Sequence, residues 1–126
     1  MQTLREPALA QRLADLRQRI VVAQENSPLA RNVVLLGASK GQGRALLEEA
    51  ISAGLCDFGE NRVQEAQAKW PELKAQFPHV RLHLIGPLQR NKAREAVGLF
   101  DVVQSVDRKS LVGALAAEMQ KQQRQV

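Results

Sequence analysis

The sequence predicts an α/β fold, a leading helix followed by about four parallel strands alternating with helices, in one domain spanning residues 1–126. Three observations carry this. Leu9, Leu13, Leu16 and Ile20 recur at helical spacing and stop before the breaker "ENSP" at Glu25 to Pro28. Four short apolar runs then follow, within "NVVLLGA", "CDFGE", "VRLHLIGP" and "DVVQSVD". Each run leads into a stretch of helical periodicity, and strands separated by helices pair in parallel through right-handed crossovers. At 126 residues and 44% hydrophobic, the chain can bury a sizeable core.

Asn32 to Ala38 is branched and apolar, as expected of a strand buried on both faces of a parallel sheet. Leu46, Leu47, Ala50 and Ile51 place a helix over Arg44 to Ala53, with Gly54 positioned to end it. Cys56 to Glu60 reads as the second strand, leading into a helix that Pro71 kinks or restarts. Gly86 and Pro87 stop the third strand, and "QRNKAREAVGLF" supplies the next helix. After the fourth strand, Asp107 is expected to cap a last helix carrying Leu111, Leu115 and Met119. This order fits an open doubly wound sheet and a segment of a barrel equally.

The net charge is +5, and it is uneven: residues 81–126 carry eight basic and four acidic side chains, leaving +1 for the first 80. Such an excess attracts phosphate or an anionic surface, or simply solvates a helix face. With no Tyr, three Phe and one Trp, the platforms that stack single-stranded bases are largely missing, which argues against nucleic acid as a partner. Cys56 is the only cysteine, so no intrachain disulfide forms; it is expected to be a small core residue in a reducing compartment. "MQTLREPALAQRL" lacks a continuous apolar segment and no run is long enough to span a bilayer, so a cytoplasmic protein without a membrane partner is expected.

The chemistry concentrates in "VVLLGASKGQGRALL", Val33 to Leu47, an apolar run that turns through small residues into a helix. Gly37, Gly41 and Gly43 there resemble the cofactor turn of short-chain dehydrogenases. Leu46 stands where a third glycine is required, however, and a chain without Tyr lacks that family's catalytic pair. Lys40 is the alternative. It lies just past the C-terminal end of the first strand, where ligands gather in parallel sheets, and its amine can form a Schiff base with an aldehyde cofactor. An exposed loop lysine has the same sequence position.

Four segments occur in a telling order: "LLGASK", "DFGENRVQEA", "LHLIGPLQRNK" and "VVQSVD". Together they resemble the pyridoxal phosphate homeostasis family, whose patterns run close to AVSK, FGEN-x-VQE, H-x-IGPLQ-x-NK and SVD. The resemblance extends from about Leu4 nearly to the end. It implies the first half of a (β/α)8 TIM-type barrel like the N-terminal domain of alanine racemase, since the whole barrel takes about 250 residues. It also implies that Lys40 holds pyridoxal 5′-phosphate, that Asn61, His83 and Ile85 contact it, and that the protein is a non-catalytic carrier or regulator of this cofactor. His83 and Ile85 share a strand face by their spacing of two. Asn61 suits a polar ring substituent and equally suits a helix N-cap; His83 equally suits a packed core imidazole. No second His, Cys or carboxylate stands at metal-ligand spacing beside it.

Three departures from the family stand out. Gly41-Gln42-Gly43 replaces its usual Thr- or Pro-containing turn, and Arg62 and Arg90 make the rim more basic. The half that carries its phosphate cup has no counterpart here, so amides near Gly41 and Gly43, with Arg90 and Lys92, are left as a partial substitute. A half-barrel also leaves two strand edges and a sheet face open, so a homo-oligomer or a complementary half-barrel chain is the expected partner. Two alternatives remain: a cofactor-free half-barrel that acts as a self-associating scaffold, and a nucleotide-binding domain built on the glycine turn.

Overall fold

The computed structural model describes residues 8–29 and 32–126. Leu4, where the family resemblance begins, lies outside the described residues. Helix α1 (Leu9–Glu25) leads, and four strand–helix units follow: β1 (Leu36–Ala38) and α2 (Arg44–Ser52), β2 (Asp57–Glu60) and α3 (Val63–Gln76), β3 (Arg81–Leu84) and α4 (Ala93–Leu99), β4 (Val102–Val103) and α5 (Lys109–Gln122). A short 3-10 turn, Arg90–Lys92, precedes α4.

The strands form one parallel sheet in the order β1-β2-β3-β4. This order separates the two architectures that the sequence left equal. A doubly wound sheet reverses its strand order at a switch point, whereas a monotonic parallel order is a run of neighbouring barrel strands. The chain is half of a TIM-type barrel with an added N-terminal helix.

One sheet face is closed by helices. Phe58, Leu82 and Leu84 are at most 1% exposed, and they join Leu47, Ile51, Trp70, Leu73, Val97 and Leu111 in a single core. The Phe58 and Trp70 rings lie 5.0 Å apart, tying β2 to α3. The opposite face carries Leu36, Asp57 and Val102, which are half-buried, and Ala38, which is exposed.

Several expectations need correction. Only Leu36–Ala38 of the first apolar run is a strand, and Val33 and Val34 are 48% and 60% exposed. The cause is position: among the described residues β1 is an edge strand with β2 as its single neighbour, so no further strand flanks the run that leads into it. Cys56 is exposed, just before β2, and its thiol lies 3.5 Å from the Gly54 carbonyl. Helix α3 runs through Pro71 without dividing there; Gln67 and Pro71 are both exposed, so the carbonyl freed by the missing N–H faces solvent. Asp107 makes no cap. The N-cap of α5 is Arg108, and Asp107 pairs with its guanidinium at 2.6 Å instead.

Gly54 does end α2, at φ 102°, with its N–H donating to Ile51 O and that of Leu55 to Ala50 O. At the far end of the sheet, Asp101 accepts the Leu82 N–H at 2.8 Å, the Lys74 ammonium at 2.6 Å and the Arg124 guanidinium at 3.0 Å. Arg124 also donates to Val97 O and Phe100 O, which close the end of α4. No helix among the described residues is long and apolar enough to cross a membrane.

The C-terminal rim is tightest where Gly86 leaves β3, because a Cβ there would collide with the backbone carbonyl of Asn61. Gly86→Ala should therefore force the two strand exits apart and lower stability by about 1–3 kcal/mol, read as a reduced urea midpoint with an unchanged m-value.

Candidate functional site

Lys40 occupies the second position of a tight turn. Gln42 N–H donates to Ser39 O at 3.0 Å, and Gly41 adopts φ 71°, the left-handed value that a type II turn requires at its third residue. Gly41 is thus needed for the turn. Ser39 turns its hydroxyl to Glu60 on the helix side, and Lys40 follows it in the turn just past the C-terminal end of β1. Lys40 is exposed, and its amine has no hydrogen bond or ion pair among the described residues.

The backbone around that amine is held from several directions. Glu60, fully buried at the end of β2, accepts Ser39 Oγ–H at 3.0 Å and Trp70 Nε1–H at 2.8 Å on one carboxylate oxygen, Oε1. The Lys69 ammonium stands 2.7 Å from the same oxygen and is only 14% exposed. It donates onward to Ser39 O at 2.8 Å and Gln42 O at 3.2 Å, one on each side of Lys40. From α3, Glu65 accepts the Gly41 N–H at 2.7 Å. That bond holds the Glu65 carboxyl below its ordinary value, with Lys69 adding to the effect and burial opposing it. Glu65 therefore remains an ionised acceptor at neutral pH.

Of the other residues singled out from the sequence, Asn61 and Ile85 directly follow β2 and β3, whereas His83 lies within β3. Asn61 is half-buried directly after β2. It does not cap α3: the N-cap is Arg62, and no side chain makes a cap bond there. Ile85 follows β3 and, with Leu36, covers Gly59, where an added Cβ would lie 2.9 Å from Ile85 Cδ1 and 2.6 Å from Leu36 Cδ2. His83 is 6% exposed, and both its ring nitrogens are engaged: Nε2 with Asp57 at 2.8 Å and Nδ1 with Gln104 at 3.0 Å. With the Gln104 amide donating to Nδ1, Nε2 carries the proton and donates it to Asp57. His83 is thus a buried ring fixed at both nitrogens.

The expected phosphate substitute is reduced. The amides of Gly41 and Gln42 are already given to Glu65 and Ser39, so this turn is not an open anion cradle. Arg90 and Lys92, both exposed in the 3-10 turn, remain as a basic rim. Lys40 is left as an exposed amine beside a turn whose Gly41 and Gln42 amides are occupied. Among the described residues no cluster of three His, Cys, Asp or Glu is arranged to hold a metal ion.

Glu60, Lys69, Glu65, Asp57 and Gln104 were not singled out from the sequence. Two signals were available: the Glu65–Lys69 spacing of four on one helix face, and a carboxylate at Glu60 ending an otherwise buried strand.

No family model matches the chain. The pyridoxal phosphate homeostasis protein of Pseudomonas aeruginosa is 40% identical over 111 residues, covering 87% of this chain and 47% of that protein. PipY of Synechococcus elongatus, solved without PLP, superposes with a TM-score of 0.78 at 42% identity, covering 92% of this chain and 49% of PipY. The structure of PipY with PLP bound gives 0.75 at 41% identity, with coverages of 91% and 50%. By sequence and by fold, the chain is a homologue of the pyridoxal phosphate homeostasis proteins that spans about half the length of the curated relatives it matches.

Proposed function

We propose that this chain binds pyridoxal 5′-phosphate through Lys40 as a non-catalytic carrier of the cofactor in the cytoplasm. The observation that carries the reading is a lysine amine with no hydrogen bond or ion pair among the described residues, on a turn whose backbone is fixed on both sides, at the C-terminal rim of a parallel sheet. The relative solved with PLP bound, at 41% identity, supports the choice of cofactor. When bound, the cofactor supplies an aldehyde able to form a Schiff base with an amine.

Each rim residue has a role suited to its chemistry. Lys40 provides the amine, and the half-buried Asn61 provides an uncharged hydrogen-bonding group for a ring substituent. Ile85 and Leu36 give an apolar floor over Gly59, and the His83 ring, held by Asp57 and Gln104, gives a rigid wall. Arg90 and Lys92 attract the phosphate without enclosing it, so affinity is weak.

Borohydride reduction of a mixture of the chain and pyridoxal phosphate, followed by peptide mapping, tests this reading. Label should concentrate at Lys40, and Lys40→Ala should remove most of it, with Lys121 as an exposed competitor. Label spread evenly over the lysines and unchanged in Lys40→Ala contradicts it.

A partner follows from the open sheet. Among the described residues both edges of β1-β2-β3-β4 are unpaired, and no second layer covers the face opposite the helices. We infer that a second half-barrel, from another copy or from a complementary chain, covers it, because open strand edges recruit other strands. Sedimentation of the isolated chain should show concentration-dependent dimers; a monomer across the micromolar range contradicts pairing with itself.

A further inference from the structure

We propose that Lys69 is a positioning residue for Lys40, setting the turn that presents the Lys40 amine; the inference rests on the cofactor reading above. Lys69 reaches the turn from α3. Its ammonium sits behind the turn, 2.8 Å from Ser39 O and 3.2 Å from Gln42 O, and these two carbonyls bracket the two residues of the turn, Lys40 and Gly41. A lysine stem is flexible and its ammonium finds many partners, so these contacts position the turn only if the ammonium is itself held. The buried Glu60 carboxylate does this from below at 2.7 Å, and Glu65 stands at 3.5 Å on the same helix face.

Glu60 is in turn anchored through one oxygen. Its Oε1 is fixed by Ser39 Oγ and by the indole of Trp70, and its Oε2 is buried with no hydrogen-bond partner. Lys69 is therefore the cationic partner of a carboxyl group buried in the core. Glu65 completes the arrangement by accepting the Gly41 N–H. All hydrogen bonds to the turn from α3 thus arise from two side chains one helical turn apart, and none uses the Lys40 side chain. The device orders the backbone and leaves the amine unengaged. A turn that samples other conformations binds more weakly in proportion to the fraction of time it is competent.

The test compares the intact chain with Lys69→Met/Glu60→Gln, Lys69→Arg and Glu65→Ala. The double variant removes the ion pair together, so no uncompensated charge is left in the core, and it keeps an acceptor for Ser39 and Trp70. Thermal melting and the fluorescence of Trp70, the only tryptophan, verify the fold. Amide exchange at Gly41 and Gln42 reads the turn, and half-saturation of borohydride labelling at Lys40 reads presentation of the amine. The double variant and Glu65→Ala should each exchange faster at Gly41, and the double variant should raise the half-saturating cofactor concentration about tenfold. Lys69→Arg, which retains donors on a long stem, should recover part of that loss. A folded double variant that labels at Lys40 with the intact chain's half-saturation overturns the positioning role alone. An intact chain with no label at Lys40 overturns the cofactor reading, and this proposal with it. If the double variant does not fold, Glu65→Ala and Lys69→Arg decide: unchanged exchange and labelling in both overturns the proposal.

Discussion

The rim of this half-barrel depends on one buried carboxylate. Glu60 ends β2 on the face covered by helices, where an ion left uncompensated costs several kcal/mol. Its partners come from two other parts of the chain: Ser39 from the exit of β1, and Lys69 and Trp70 from successive positions of α3. Satisfying the charge therefore draws the β1 exit, β2 and α3 into one arrangement. Removing one partner of such a pair typically costs about 3–5 kcal/mol, far more than an exposed pair such as Asp107–Arg108 at the surface.

The two faces of the sheet have separate tasks. Phe58, Leu82 and Leu84 point to the helices and carry the core, while Asp57, His83 and Gln104 form a hydrogen-bonded chain across β2, β3 and the exit of β4 on the open face. Alternation along each strand makes this division possible, since neighbouring residues serve opposite layers. Gly59 shows the consequence at one position: a side chain there would displace Leu36 and Ile85, which meet over it. The open face is therefore floored by side chains from β1 and from the exit of β3, with a polar row beside them.

Much of the fold was legible from pattern alone because its signals are local. Helical spacing located α1 and α2, Gly54 ended α2 for the expected backbone reason, and four apolar runs located the strands. Strand limits were less legible, because where β1 and β4 begin and end depends on neighbours: Val33 and Val34 are good strand formers that are left about half exposed before the edge strand β1. Asp107 has the right residue type for a cap but stands one position too early. Lys40, His83 and Ile85 were reached through motif and strand parity. Lys69 escaped because its role joins residues 27 to 30 positions away, Gln42 and Ser39, and no local period encodes such a contact.

The central claim is that Lys40 presents its amine from a turn held by Glu60, Lys69 and Glu65. A crystal structure of the borohydride-reduced complex with pyridoxal phosphate tests it most directly. The account predicts continuous density from Lys40 Nζ to the cofactor, with Lys69 still on Ser39 O and Gln42 O and the Gly41 amide still on Glu65. Cofactor bonded to another lysine, or bonded to Lys40 on a turn released from Lys69, would contradict it.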